Sequence, residues 1–432
     1  MNPPTWKAGV ASTVITPTES MWLAGWAARR QASTGTAGDL FAKALALEDA
    51  NGERVVVVTA DLIAIPRTLA DAVVARVLQR WNLPRERLLF NASHTHTGPE
   101  VRPDKVPFFE IPPEFAARIA PYVAQLEETL ATLIGTALER LEPATLRVQS
   151  LRAGFAKNRR TPPGPVDHDL PVLAACRLDG RPLALVFGYA CHNLTLPPAC
   201  GEFHGDYSGV AQAIVEKIFS GATALFLAGT GADQDPAPRG TLEHARAHGQ
   251  ALADEIQRGW TRGGREVAGS LQAAFEEVVL ELQPLPAFAE LEADLRSDDP
   301  PRRRKAAFLL AALAEQRPLV TSVSWPVQVW RLGDELLLIA LGGEPVAEYA
   351  LRFKAAFGGP VVWVAGYSND LMGYLPTRRV QQEGGYEAGR ATLWSALPAP
   401  LAESAEARIV GAVHHLVRRV GAPAGGGLTG DR

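Results

Sequence analysis

The sequence predicts an α/β fold, a mixed β-sheet core flanked by helices. Three observations predict it. Apolar runs bounded by turn residues alternate with longer segments whose apolar residues recur at helical spacing. Strand, helix and strand follow in that order between Arg54 and His94, as in a βαβ unit. The polar residues richest in chemistry stand directly after apolar runs, where open α/β sheets bind their ligands.

The elements follow in order. ALALED and RVVVVTADL flank Ala50-Asn51-Gly52-Glu53, a turn signal, and read as a β-hairpin. TLADAVVARVLQRW has helical spacing, and RLLFNASH reads as a buried strand. A long helix is expected from Glu114 to about Glu142. PVLAACRL, Asp179-Gly180 and RPLALVFGYACH form a second hairpin. GVAQAIVEKIF is helical, ATALFLAG is a strand, and helical spacing returns from Leu242 to about Trp260. From about Ala287 to Glu315 the chain turns rich in Ala, Leu, Glu and Arg, with DDPPRRRK in the middle. This reads as two helices broken at Pro300-Pro301, an insertion standing out from the sheet. SVSWPVQVWRLGDELLLIAL is a strand-turn-strand, GEPVAEYALRFKAAF a helix and VVWVAGYS a strand. No linker divides the chain. One large domain over 1–420 is expected, with a helical insertion at about 285–317 and a disordered Gly-rich tail over 421–432.

Composition narrows the function. A net charge of −4 over 432 residues argues against nucleic acid as a partner, which calls for a basic excess. Cys176, Cys191 and Cys200 form no CxxC pair and no even framework, which suits a reducing compartment. The first residues, MNPPTWKAGVAST, show no basic segment followed by an apolar one, so a cytoplasmic location is expected. No apolar run reaches the ~18–20 residues of a membrane span.

The strand ends carry imidazole, carboxylate and phenol groups. His94 and His96 follow RLLFNAS, His192 and Asn193 follow RPLALVFGYAC, and Asp233 and Asp235 follow ATALFLAG. Glu344 follows ELLLIALG, and Asn369, Asp370 and Tyr374 follow VVWVAGYS. Five apolar strands delivering such groups imply a convergent polar site. Residues i and i+2 of a strand share a face, so His94 and His96 can bind one metal together. Equally, one can bind it while the other faces the substrate. Two imidazoles and a carboxylate, here His94, His192 and Glu344, make a usual catalytic zinc set with an open position. His244 and His248 stand four apart on a helix but lack the Glu of HExxH. His204 is close enough in sequence to His192 to line the same cleft, and Asp206 is placed to cap the helix beginning near Gly209. His168, His414 and His415 read as ordinary residues.

The order HTHTGP, strand-end His, GADQDP, GGEP, YSNDLMGYLPT and GGYE resembles the neutral/alkaline non-lysosomal ceramidase family, in its N-terminal catalytic domain. AGVASTVITP, LAGWA and VVVVTADL look like that family's opening, and the resemblance runs from about Ala8 to Glu387. It implies a zinc amidase cleaving an N-acyl bond of a lipid. Carried over, it assigns zinc to His94, His192, Glu344 and Tyr374, a general acid/base role to His96, and an oxyanion role to Arg159 in KNRR. Tyr386 in GGYE is a further site candidate, and Tyr374 as a ligand rests on the resemblance alone.

Three departures stand against ceramide itself as the substrate. Asp235 occupies the place of a serine in the family's GDxSP-like segment. The resemblance does not extend to the C-terminal sandwich domain of full-length ceramidases. The helical insertion has no counterpart in the enzymes that act on ceramide. Asp235 is left with several roles: a base on water, a partner orienting His96, or a contact to a substrate hydroxyl or ammonium. Two other readings stay open. One is a zinc hydrolase for a polar, glycan- or amino-sugar-like compound, with Asp233 and Asp235 near the metal. The other is a ligand-binding relative without turnover. The substrate is a small molecule or a lipid-like one in every case.

Overall fold

The computed structural model describes residues 6–161 and 163–422. Most of the expected tail lies outside the described residues.

Two β-sheets stack face to face, and helices cover both outer faces. The large sheet has nine strands. Eight of them run in the order Thr223–Ala228, Pro182–Tyr189, Asp169–Arg177, Glu142–Arg152, Trp6–Val14, Phe41–Asp49, Arg54–Ala60, Leu88–Ala92, and Arg265–Val267 pairs with Glu142–Arg152. The small sheet orders Leu271–Glu281, Ser322–Leu332, Leu336–Leu341 and Val361–Ala365. The core is therefore mixed: both expected hairpins are antiparallel, whereas Arg54–Ala60 runs parallel to Leu88–Ala92 across the expected helix Arg67–Trp81.

Continuous apolar strands follow from burial on both faces. In Arg54–Ala60, Val55 and Val57 enter the layer between the sheets, with Trp6, Trp330 and Trp363. Val56, Val58 and Ala60 point the other way, into the layer under the helices. That layer packs against Arg67–Trp81, Pro113–Glu139, Asp206–Ile218 and Leu242–Arg262. Glu348–Ala356 and Ala405–Arg419 cover the small sheet in the same way. Among the described residues no helix is long and apolar enough to cross a membrane.

One buried amide brings the ends of the large sheet together. Asn91 accepts from the Ala228 amide at 2.8 Å and donates to Gly366 O at 2.7 Å. It thereby ties the two edge strands of the large sheet to the end of the Val361–Ala365 strand. The C-terminal ends of strands from both sheets then face one space.

The insertion forms two helices, Phe288–Asp294 and Pro300–Ala314. Pro300 and Pro301 open the second helix instead of breaking one, because the first turn needs no N–H from them. The pair does not stand free of the body. Phe308 packs on Phe108 with ring centroids 4.9 Å apart, and the Lys305 Nζ donates to the carbonyls of Ser395, at 2.6 Å, and Leu397.

Burial, and next the neighbouring Lys105 charge, push Lys305 down to about 7. The unfolded chain then binds more protons than the folded one from about pH 7 up to the ordinary lysine value near 10.4. Stability from this group therefore rises with pH through that window, by up to about 1.4 kcal/mol per pH unit. Lys305→Met is expected to flatten the climb of unfolding free energy between about pH 7.5 and about pH 9.5, measured by urea denaturation. Equal slopes in variant and wild type would contradict it.

Candidate metal centre

The centre is built from three strand ends and one short ladder. His94 follows Leu88–Ala92, with φ of 62° and its amide on Leu62 O. His192 follows Pro182–Tyr189, and its amide donates to Gln234 O at 2.8 Å. Glu344 follows Leu336–Leu341, and a two-residue parallel ladder sets Glu344 beside Tyr374. The hydroxyls of the HTHTGP loop now have a purpose. Thr95 and Thr97 both donate to His204 O, at 2.8 and 2.7 Å, and fix the loop that carries the histidines.

Each of two imidazoles is oriented through its far nitrogen. His94 Nδ1 lies 2.8 Å from Ile63 O, and His192 Nδ1 lies 2.8 Å from Gly231 O. A carbonyl only accepts, so both Nδ1 atoms carry hydrogen. In a neutral ring this leaves a bare lone pair on Nε2. Both Nε2 atoms stand 3.4 Å from the same oxygen, Glu344 Oε2. Among the described residues His192 Nε2 and Glu344 Oε2 have no hydrogen-bond partner, although both are buried. Burial drives His94 down to about 3, against the pull of Glu344. Burial alone would raise the Glu344 carboxyl, but His94, His192 and Arg159 outweigh it and hold Glu344 at about 2. Lone pairs of two imidazoles and one carboxylate thus converge on one point. A divalent cation with nitrogen and oxygen preference fits that donor set.

His96 completes a group of three buried histidines with His94 and His192, whose ligand-type atoms all lie within 4.8 Å of one another. It differs from the other two in having no hydrogen-bond partner at Nδ1 or Nε2 among the described residues. Its ring packs edge-on to Trp26 at 5.3 Å. Burial, then His94 and His192, push it well below the usual histidine value.

Arg159 links the remaining predicted residues. Its guanidinium donates to Tyr374 Oη at 3.1 Å, to Asp235 Oδ1 at 3.2 Å and to Glu387 Oε1 at 2.8 Å. Against the cost of burial, Tyr374, Asp235 and Glu387 keep it charged. Burial, and next the Glu344 charge, push the Tyr374 phenol well above its usual value. Tyr386 stands edge-on to Tyr374 at 5.4 Å and adjoins Trp394 at 5.8 Å.

Asp235 is committed to arginines. Besides Arg159, it pairs with Arg239 at 3.0 Å. It makes no hydrogen bond to His96, so the role of orienting that ring has no contact behind it. Asp233 faces away from such work as well: it accepts from Asn158 Nδ2 at 2.9 Å and from the Ala347 amide at 2.8 Å. Asp370 pairs with Arg67 and Asn369 accepts from the Phe90 amide, so these two strand-end residues join elements together. His204 accepts from the Asp206 amide, and Asp206 begins its helix three residues before Gly209. His248 bonds to Pro238 O and stacks on Phe155.

Sequence reasoning missed Gly25, Glu387 and Lys105. Gly25 and Trp26 lie in LAGWA, and Glu387 ends GGYE, so the motifs contained them without revealing their contacts. Gly25 has φ of 87°, and a Cβ there would fall 2.4 Å from His96 Nδ1. Gly25→Ala is therefore expected to displace His96 and lower kcat about a hundredfold at unchanged metal content. Turnover equal to wild type would show that His96 needs no such fit.

Two spaces meet at the centre. An inner cavity of about 100 Å³ is bounded by His94, Glu344, Leu371 and Lys105. An outer cleft of about 1010 Å³ is bounded by Arg159, His192, Asp235 and Arg239. His96, Tyr374 and Tyr386 line both.

The fold and the site define a ceramidase-like hydrolase. The family model described as neutral/alkaline non-lysosomal ceramidase, N-terminal, matches residues 6–230. The chain belongs to that family. It superposes on a structure described as a ceramidase complexed with C2, with a TM-score of 0.76 at 19% identity, covering 99% of this chain and 77% of that one. It superposes also on the neutral ceramidase from Pseudomonas aeruginosa, with a TM-score of 0.77 at 19% identity, covering 98% and 76%. At that identity the likeness is one of fold. No curated protein sequence matches the chain.

Proposed function

We propose that this protein is a zinc-dependent amidase that cleaves an N-acyl bond. One observation carries the reading: two carbonyl-anchored imidazoles present Nε2 to a single buried carboxylate oxygen at 3.4 Å each. His94, His192 and Glu344 would hold the ion, with Tyr374 beside Glu344 on the adjoining ladder strand as the fourth candidate. When bound, zinc supplies Lewis acidity, lowering the pKa of water from 15.7 to about 7 and polarising a carbonyl.

The chain's own residues supply the rest. His96, neutral and free at both nitrogens, takes a proton from the attacking water and delivers it to the leaving amine. Arg159 is charged, partly buried and held on three sides, so it meets negative charge developing on the carbonyl oxygen without reorganising. One such donor contributes about 3 kcal/mol. Asp235 clamps Arg159 from the outer cleft and is a positioning residue in this scheme. Tyr386, at the junction of the two spaces, walls the reacting bond.

A second reading has one observation in its favour. Asp235, Arg160 and Arg239 bring charge to an outer cleft whose other walls include Trp26, Phe109 and Trp394, a mixture that suits the hydroxyls and ring faces of a glycan- or amino-sugar-like compound. The experiment is metal analysis of the purified protein together with hydrolysis of N-acyl amines and N-acyl amino sugars. Stoichiometric zinc and amide cleavage are expected. Zinc-loaded protein that cleaves neither class would remove the amidase assignment.

A further inference from the structure

The inner cavity carries charge that the hydrolytic scheme does not use. Arg102 and Lys105 both line it. Arg102 is neutralised, because Glu100, itself fully buried, receives its Nε at 2.8 Å and its Nη2 at 2.9 Å. Lys105 is not. It is only 7% exposed, and its ammonium makes one hydrogen bond, to Trp394 O at 3.1 Å. An ammonium has three donors, so two are left without an acceptor among the described residues. The nearest carboxylate, Asp104, stands 3.7 Å away with half of its side chain in solvent. Lys305, a second buried ammonium, is satisfied by carbonyls and pairs with no carboxylate among the described residues. Ile63, Leu371, Met372 and Leu401 supply apolar wall to the same cavity.

A buried cation whose one ion pair is long and reaches into solvent is costly, and an isosteric methionine at 105 would avoid that cost. The charge is therefore better explained by a ligand than by the fold. The cavity opens onto His94 and Glu344, so whatever enters it is continuous with the bond to be cut.

We propose that the half of the substrate entering the inner cavity bears a carboxylate, and that Lys105 binds it. The proposal rests on the amidase reading and names the substrate class for it. The carboxylate has two possible origins with the same chemistry. It ends the acyl chain in a monoamide of a dicarboxylic acid, or it belongs to the amine half in an N-acyl amino acid.

The test compares N-hexylsuccinamic acid and N-hexanoylglycine, each with its neutral primary carboxamide, on the zinc-loaded protein. The wild type, Lys105→Met and Lys105→Gln are used, each checked for a wild-type thermal transition. Preference is read as a ratio of Kd values by calorimetry for compounds that are not turned over, and of kcat/KM for those that are. At least one acid is expected to beat its carboxamide by tenfold or more in the wild type, and which acid does so identifies the origin of the carboxylate. In both variants that ratio is expected to fall to about one. The proposal is overturned if neither acid is preferred. It is overturned equally if the preference survives in the variants, as it would if the carboxylate bound the metal directly. Failure to hydrolyse any compound would count against the amidase reading alone, because the binding ratios stand without turnover.

Discussion

His94→Ala is expected to lose most of its bound zinc and to lower amide hydrolysis at least ~10³-fold. The size follows from what the ion would supply at the proposed centre: charge stabilisation of several kcal/mol at the transition state, where each 1.36 kcal/mol is tenfold. The removal is also asymmetric. Glu344 and His192 would keep their buried, partnerless atoms aimed at an emptied position, and buried polar groups without partners destabilise by about 1–3 kcal/mol each. Metal binding to the folded state alone stabilises it, so a chelator should lower the melting temperature of the wild type and leave that of His94→Ala nearly unmoved. Emission spectroscopy of dialysed protein, a chelator melt and an N-acyl amine assay check the three consequences. A variant that keeps full zinc and full turnover would mean that the centre has been misassigned.

The parts of this molecule that were legible in the sequence are those set by local pattern. Val55 to Ala60 reads as a buried strand because both its faces are apolar, and the hairpin around Gly52 reads from turn chemistry. Strand-end placement of His94, His192 and Glu344 followed from the same runs. Period alone does not say which layer covers which face, so the stacking of two sheets was not readable from Val55 and Val56. The prolines at 300 and 301 signal a boundary, but a helix start and a helix break share that signal. Tyr374 was reachable only through resemblance, because its place beside Glu344 depends on a two-residue ladder too short to leave a pattern. The fate of Asp235 was hidden for another reason. Resemblance marked Arg159 only as an oxyanion partner and Arg239 is ordinary in sequence, so only the fold shows that the two consume the Asp235 carboxylate.

His96 is where geometry alone admits two answers, and one substitution separates them. Its ligand-type nitrogen is near enough to those of His94 and His192 to be a third imidazole on the same ion. Yet ligand histidines are held by a hydrogen bond from their other ring nitrogen. His94 and His192 have that bond and His96 has neither nitrogen engaged. Its position is set by packing, between Trp26 and the bare Cα of Gly25, which leaves the imidazole free to gain and lose a proton. His96→Asn is therefore expected to retain zinc at the wild-type stoichiometry and chelator resistance, while kcat falls by about 10²–10⁴. The pH profile should change with it. A base must be unprotonated to act, and burial holds His96 well below 6.5, so wild-type kcat should carry a His96 limb on the acid side of that value, separate from any limb near 7 that metal-bound water would add. In His96→Asn that acid limb should disappear. If instead the variant gives up its metal as readily as His94→Ala, His96 is a ligand, and the proton must be carried by another group at the junction of the two cavities.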